Sequence, residues 1–229
     1  MGRGGGMVRA GGVYHLISRF TAKEWFIESA LERRTYLSLL ELALRETNWR
    51  CICYAVMSSH IHLGLVSGTC PLAKWLRPMH TIFAAWINER RERIGSVFVK
   101  GPKVVEFRPE ATARLLDYVH QNPVRAGVVP RPLDTEWTSF RAYAGVAPQP
   151  AWLAIDEGLA LAGFDSRGGW MEMCETRAPT SREELEAGRV VPLGRAGRPR
   201  KGMVRATTGA DVIFGRRGGD RSAETAKPA

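Results

Sequence analysis

The first 145 residues alternate between strand-like and helix-like patterns of apolar positions. Residues 13–20, 49–57 and 60–66 are short runs rich in β-branched and aromatic residues, which is typical of strands. Residues 26–46, between the first two runs, place leucines and a tyrosine at helical spacing. Residues 79–87 carry apolar side chains at i, i+3, i+4, i+7 and i+8, which predicts a second helix with one apolar face.

Prolines and further short runs complete this pattern. Pro78 is expected to start or kink the second helix, because proline lacks a backbone donor. Residues 97–99 and 104–107 predict short strands, and residues 110–122 predict a third helix that ends at Pro123. The order β-α-β-β-α-β-α predicts an α+β fold: a ferredoxin-like, split βαβ antiparallel sheet with helices packed on one face.

Four segments follow from composition. Residues 1–11 form a glycine-rich lead-in expected to be disordered, and residues 12–147 form the main domain. Residues 148–190 predict a helical, acidic extension, and residues 191–229 a disordered basic tail, because they have little to bury. The sequence contains neither an apolar run long enough to span a membrane nor a secretory signal, so we expect a cytoplasmic protein.

Charge indicates the class of partner. The formal net charge is +10, and residues 1–150 carry 20 basic and 12 acidic side chains. Residues 189–229 carry 10 basic and 3 acidic side chains, whereas residues 151–188 between them carry 3 basic and 8 acidic ones. A basic body and tail favour a polyanionic partner, most simply nucleic acid.

Two histidines interrupt the apolar run "SSHIHLGL" at residues 58–65. Because alternate side chains of a strand face the same way, His60 and His62 would share one face. Their imidazoles could therefore reach one metal ion while Ile61 and Leu63 point into a core. A half-buried strand with two idle polar positions is the alternative.

The third predicted helix reads "EATARLLDYVHQN" at residues 110–122. Tyr118 and Asn122 are four residues apart and share a face, whereas His120 points away from Tyr118. Taken alone, Tyr118 could be an ordinary packed aromatic, and Asn122 could simply close the helix.

Two readings without DNA cleavage remain open from the residues alone. Cys51 and Cys53 could join His60 and His62 in a zinc-containing binding module across a hairpin. A ferredoxin-like sheet could also bind single-stranded nucleic acid on aromatic and basic side chains without any catalysis, as in a domesticated enzyme.

Four motifs in this order and spacing resemble the REP-associated tyrosine transposases. They are "YHLISRF", "YAVMSSHIHLGL", "YVHQNPVRAGVV" and "WTSFRAYAG", and the resemblance covers about residues 12–145. That family belongs to the single-tyrosine HUH transposases, named for a histidine–hydrophobe–histidine motif. This chain departs from the family at Ser18-Arg19-Phe20, where Ser-Arg-Gly is common, and at "MSSH", where Met-Pro-Asn-His is usual.

The resemblance implies a DNA transposase, an endonuclease that binds single-stranded hairpin (REP-like) DNA. It would cleave and rejoin this DNA by metal-assisted transesterification through a 5′-phosphotyrosine intermediate. Tyr118 would be the nucleophile, and His60 and His62 would be metal ligands. Asn122 would be the third ligand, with His120 and Gln121 left open. The cofactor would be a divalent metal, Mg²⁺ or Mn²⁺. Mn²⁺ is the alternative because Mg²⁺ prefers oxygen ligands, whereas this site would offer two imidazoles.

The same resemblance implies single-stranded or hairpin DNA as partner, no membrane, and a bacterial, nucleoid-associated location. Monomer and homodimer both remain open. Arg125 and seven other arginines and lysines are candidates for contacts to DNA phosphates or grooves. Two of the seven, Arg198 and Arg200, lie in an extended Arg-Pro segment that resembles an AT-hook. These seven are Arg90, Arg91, Arg93, Lys100, Lys103, Arg198 and Arg200.

Overall fold

Four antiparallel strands form one sheet in the computed structural model, which describes residues 9–190 of the chain. The predicted basic tail, with Arg198 and Arg200, lies outside the described residues, as do the first eight residues of the lead-in. The strands, in spatial order β2-β3-β1-β4, are β1 (Val13–Arg19), β2 (Arg50–Val56), β3 (His60–Val66) and β4 (Lys103–Phe107).

Two long helices connect these strands, and they are α1 (Ala30–Arg45) and α2 (Leu72–Arg90). The element order β1-α1-β2-β3-α2-β4 and the position of β1 and β3 at the centre of the sheet are those of the split βαβ fold. The predicted ferredoxin-like α+β class is therefore confirmed. No helix among residues 9–190 is long and apolar enough to cross a membrane.

Between β4 and residue 190 there are six further α-helices: α3 (Thr112–His120), α4 (Asn122–Arg125), α5 (Phe140–Tyr143), α6 (Ile155–Leu161), α7 (Arg167–Thr176) and α8 (Arg182–Ala187). The first of them, α3, covers the face of the sheet opposite to α1 and α2. His15 and Ser18 are three apart on β1 and so point to opposite faces. Ser18 contacts His80 of α2, whereas the His15 ring lies beside Tyr118 of α3. Both faces of the sheet are thus covered, with α1 and α2 on one and α3 on the other.

Element boundaries differ from the sequence prediction where capping or pairing decides them. α1 begins at Ala30 rather than near 26, because the Ser29 side chain caps it and the Ser29 backbone N–H donates to the Glu32 carboxylate. α2 begins at Leu72 and runs through Pro78, so Pro78 does not start it. Around residues 97–99 there is only one bridge, between Phe20 and Phe98, in place of the predicted strand.

The segment that ends the described chain holds α3 against the sheet. The Thr180 backbone N–H donates to the Asp117 carboxylate, and the Thr180 carbonyl accepts from the Arg125 guanidinium. Ten residues later the Val190 N–H donates to the Glu106 carbonyl at the β4 edge, at 2.8 Å. The acidic extension therefore stabilises the position of the helix that carries Tyr118.

Gly64 is required by the close approach of β2 to β3. A Cβ added at Gly64 would lie 2.4 Å from Cys53 Sγ, and the Cys53 side chain is fully buried. We expect Gly64→Ala to lower the free energy of unfolding by about 1–3 kcal/mol, as overpacked cores do. Urea unfolding measures this change. In a Cys53→Ala background the same substitution should cost less, and equal costs in both backgrounds would contradict the clash.

Candidate active site

His60 and His62 stand side by side on the face of the sheet that α3 covers. Their ring centroids are 4.8 Å apart and the ring planes are nearly perpendicular. His62 lies opposite Ile17 of β1 and is 4% exposed, whereas His60 begins β3 opposite Arg19 and is half-buried. The alternation inferred from "SSHIHLGL" therefore brings the two imidazoles together at one end of the sheet.

In both imidazoles Nδ1 lies within hydrogen-bonding distance of a neighbouring side chain. His60 Nδ1 is 3.0 Å from the Ser59 hydroxyl, and His62 Nδ1 is 2.8 Å from Nε2 of His15. His62 Nε2 is buried and has no hydrogen-bond partner within residues 9–190. An unpartnered buried ring nitrogen is costly unless something else binds it. The donor set, two imidazoles with Nδ1 engaged, fits a divalent cation held through Nε2.

Burial keeps these rings neutral. Desolvation lowers the pKa of His62 well below its ordinary value, with His15, His60 and Arg19 adding smaller effects of the same sign. Desolvation, followed by Arg19, also lowers the pKa of His60, and desolvation with Lys103 lowers that of His15 to about 3. Neutral imidazoles are the form that binds a metal.

Tyr118 reaches the same place from α3. Its ring centroid is 6.4 Å from that of His62 and 6.0 Å from that of His15, edge-to-face in both cases. The Arg125 guanidinium carbon lies over the Tyr118 ring, 4.2 Å from its centroid. Within the described part of the chain the Tyr118 hydroxyl makes no hydrogen bond, so it is not tied to another protein group.

Asn122 and Arg125 both fasten the end of α3. Asn122 Nδ2 donates to the Tyr118 carbonyl at 2.9 Å, and Arg125 Nη1 donates to the same carbonyl at 2.7 Å. No hydrogen bond joins Asn122 to His60 or His62 in residues 9–190. The role of Asn122 as a third ligand stays a prediction, and so does contact of Arg125 with DNA.

His120 belongs to a different cluster. It is fully buried, its Nε2 is 2.7 Å from the Ser139 hydroxyl, and its ring packs on Phe140, Tyr143 and Trp170. Gln121, next to it, is also buried. The sequence left His120 open as a ligand, but its contacts lie with α5 and α7 and do not include the histidine pair.

The zinc-module interpretation is wrong. A bulge between Cys51 and Cys53 breaks their alternation, so that Cys51 pairs with Leu65 and Cys53 pairs with Gly64. Leu65 points to the opposite face from His62, and Cys51 shares the Leu65 face. Among residues 9–190 no three His, Cys, Asp or Glu side chains are grouped to hold a metal.

The basic end of α2 is occupied by carboxylates. Arg91 donates to Glu32 at 3.0 Å and to the backbone carbonyls of Trp25 and Phe26, and the Arg90 guanidinium lies 3.9 Å from the same Glu32. Arg93 pairs with Glu24 at 3.1 Å and covers the Phe26 ring. These three arginines tie the end of α2 to the first turn of α1 and to the segment before it, and phosphate contact by them stays a prediction.

Three cations near the histidine pair differ from the paired arginines at the end of α2. Arg19 lies opposite His60, and its carbonyl accepts a hydrogen bond from the Val99 N–H, which brings Lys100 alongside. Lys103 begins β4 opposite Ile17, which in turn lies opposite His62. All three are exposed, and none forms an ion pair with another described residue. Sequence reasoning selected Lys100 and Lys103 but not Arg19.

His15 is the other residue that sequence reasoning missed as part of the site. The signal lies in "YHLISRF", where His15, Ile17 and Arg19 alternate as His60 and His62 do. Once β1 is the neighbour of β3, both sets must share a face. The strand order, which the sequence does not state directly, was needed to bring them together.

Solved structures with the same fold include a REP-associated tyrosine transposase bound to a REP hairpin. It aligns with a TM-score of 0.53 at 14% identity, over 65% of this chain and 89% of that chain. A candidate transposase from Deinococcus radiodurans R1 aligns with a TM-score of 0.37 at 15% identity, over 53% of this chain and 97% of that chain. No protein-family model and no curated protein matches this chain.

Proposed function

We propose that this chain is a REP-type transposase that cleaves and rejoins single-stranded hairpin DNA through a covalent bond to Tyr118. The observation that carries the proposal is the convergence of Tyr118 on the histidine pair: its ring centroid is 6.4 Å from that of the buried His62, whose Nε2 has no partner within residues 9–190. The fold shared with a transposase that is bound to a REP hairpin supports it.

The chemistry assigned to Tyr118 is nucleophilic substitution at phosphorus. Its phenolic oxygen, having lost its proton to solvent, forms the new bond to the scissile phosphorus as the bond to the 3′ oxygen breaks. That oxygen takes up a proton and leaves as a 3′-OH, and the 5′ end stays on the protein as phosphotyrosine. The covalent bond conserves the phosphodiester energy, so a second 3′-OH can reverse the step and join a new strand.

His60 and His62 are the residues proposed to hold Mg²⁺ or Mn²⁺, with the Asn122 amide oxygen as the proposed third ligand. When bound there, a divalent cation polarises the scissile phosphate and offsets the charge on the departing oxygen. The protein's own contribution is to keep both imidazoles neutral by burial and to direct their Nδ1 atoms to Ser59 and His15.

Arg19, Lys100 and Lys103 are the proposed phosphate contacts beside the scissile bond. Their charges lie at the end of the sheet where His60 begins β3, and no carboxylate among residues 9–190 neutralises them. Each phosphate contact releases counterions, so DNA affinity should fall steeply with salt.

We expect Arg19→Gln to affect DNA binding and Arg91→Gln to affect stability. Arg19→Gln should weaken hairpin DNA binding and reduce the slope of log affinity against log salt by about 1, with little change in stability. Arg91→Gln removes the hydrogen-bonded arginine of the buried Glu32 and leaves only Arg90, 3.9 Å away, so it should lower the free energy of unfolding by about 1–3 kcal/mol, with DNA affinity nearly unchanged. Fluorescence anisotropy and urea unfolding measure the two quantities. A DNA defect in Arg91→Gln that equals the Arg19→Gln defect would assign Arg91 to the DNA surface instead.

The test of the proposed function uses hairpin DNA with a single-stranded flank, labelled at its 5′ or its 3′ end. With Mg²⁺ or Mn²⁺ we expect the 3′-labelled fragment to migrate with the protein in a denaturing gel, and the 5′-labelled fragment to be released with a free 3′-OH. His60→Ala should lose this metal-dependent product. Binding without any cleavage would support a non-catalytic nucleic-acid-binding protein, and two free ends would point to water as the nucleophile.

A further inference from the structure

His15 contacts both His62 and Tyr118, the two groups to which the proposed function assigns chemistry. Its Nε2 is 2.8 Å from His62 Nδ1, and the two rings are stacked with centroids 5.0 Å apart. The edge contact with Tyr118, at 6.0 Å, is made by the same ring. His15 is 3% exposed, so it has no access of its own to a substrate.

The sheet register creates the space for this contact. His15 lies directly opposite Gly64, and His62 is the diagonal neighbour, two residues along β3. Because Gly64 has no side chain, nothing on β3 covers the His15 ring from the opposite position. On its other side His15 lies opposite Val105 of β4, and its ring packs on Phe107.

The hydrogen bond between the two rings has two possible directions with different consequences. If His15 donates from Nε2, the neutral His62 ring carries its proton on Nε2, where it faces no partner and cannot bind a cation. If His62 donates from Nδ1, its Nε2 presents a lone pair at the position that has no partner within residues 9–190. The acceptor on Nδ1 therefore decides whether Nε2 can ligate.

We propose that His15 is a positioning residue that accepts a hydrogen bond from His62 Nδ1 and so holds the His62 Nε2 lone pair toward the cation site. The benefit to cation binding rests on the proposed function, whereas the tautomer of His62 does not. An imidazole here takes the place of the carboxylate or carbonyl that usually accepts from a ligating histidine. Unlike a carboxylate, neutral His15 adds no negative charge next to DNA.

The tautomer is tested first on metal-free protein. Correlation spectra that join imidazole ¹⁵N to ring protons distinguish a ring protonated on Nδ1 from one protonated on Nε2. In the unchanged chain we expect His62 to be protonated on Nδ1. In His15→Gln, whose amide oxygen can still accept, this pattern should persist, and in His15→Leu it should change to the other form or to a mixture.

Ser59→Ala is the matched control, because it removes the Nδ1 partner of His60 and leaves that of His62 in place. It should leave the His62 pattern unchanged. Finding His62 protonated on Nε2 in the unchanged chain would overturn the proposal, whatever the enzyme does with DNA. An unaltered His62 pattern in His15→Leu would overturn it equally.

Mn²⁺ titration followed by electron paramagnetic resonance then measures the consequence. We expect His15→Leu to bind Mn²⁺ about 10- to 100-fold more weakly, and His15→Gln to recover most of this loss. Equal Mn²⁺ affinity in the unchanged chain and His15→Leu would refute the positioning role even with the tautomer as expected. Should Mn²⁺ bind none of these proteins while the tautomer pattern holds, the metal-dependent proposed function fails and the assignment of the hydrogen bond stands.

Discussion

Tyr118→Phe should abolish the covalent protein–DNA product while hairpin binding and stability stay close to those of the unchanged chain. Removing one hydroxyl that makes no hydrogen bond within residues 9–190 leaves the packing against His15 and His62 in place. A group that forms the covalent intermediate has no substitute, so the rate of adduct formation should fall by about 10⁴-fold or more. Quantifying radiolabelled DNA on the protein in denaturing gels measures this loss.

Tyr54→Phe provides the matched control. Tyr54 is a buried tyrosine on β2 that packs on Trp152 and pairs with Leu63 rather than with either histidine, and its replacement should leave adduct formation intact. An adduct that survives in Tyr118→Phe, mapped by mass spectrometry to another residue, would remove Tyr118 from the mechanism. Loss of the adduct together with loss of folding would be recognised by near-ultraviolet circular dichroism, and Tyr118→Phe should not show it.

The sequence predicts the parts of the site that depend on periodicity. β3 begins and ends as expected at His60 and Val66, because alternation along a strand is a local property. Tyr118 lies on a helix for a similarly local reason. The contact between His15 and His62 depends instead on the order of the strands, which is decided by packing of the whole sheet and cannot be read from either strand alone.

The charge pattern along the chain does not show which cations are paired in the fold. The run Arg90-Arg91-Glu92-Arg93 predicts a phosphate-binding surface if only neighbours along the chain are considered. In the fold, Glu24, Glu28 and Glu32 come from a segment some 60 residues earlier and pair with these arginines. Whether a cation is free for DNA is thus a tertiary property, and Arg19 became a candidate only through its position opposite His60.

The second face of the sheet was also beyond the sequence prediction. β1 is buried at six consecutive positions, as in a strand covered on both sides, but that run does not identify which elements cover it. The covering elements include the acidic extension, whose α7 buries only Trp170 fully. Such a helix has a weak periodic signal, yet the segment after it fixes α3 through Asp117 and Arg125.

Acidification below pH 6.5 should destabilise the protein strongly. All five histidines are in the described part of the chain, and burial lowers the pKa of every one. It lowers the pKa of His15 and His120 to about 3 and that of His80 to about 4, from an ordinary 6.5. Because the folded-state pKa is depressed, the unfolded chain binds protons first. The stability these groups contribute is complete above pH 6.5 and is lost as the pH falls toward 4 or 3.

The expected size of this effect is large compared with ordinary protein stability. At pH 5 His15 and His120, whose pKa values burial lowers to about 3, should each cost about 2 kcal/mol relative to pH 7.5, and typical domains have only about 5–15 kcal/mol. Urea unfolding at several pH values measures the slope directly. His120→Gln keeps an amide in reach of the Ser139 hydroxyl and cannot titrate, so its slope below pH 6.5 should be shallower by about 1.4 kcal/mol per pH unit. A free energy of unfolding that stays constant from pH 7 to 5 would mean that the histidines are protonated in the fold, and a protonated His62 could not hold a cation through Nε2.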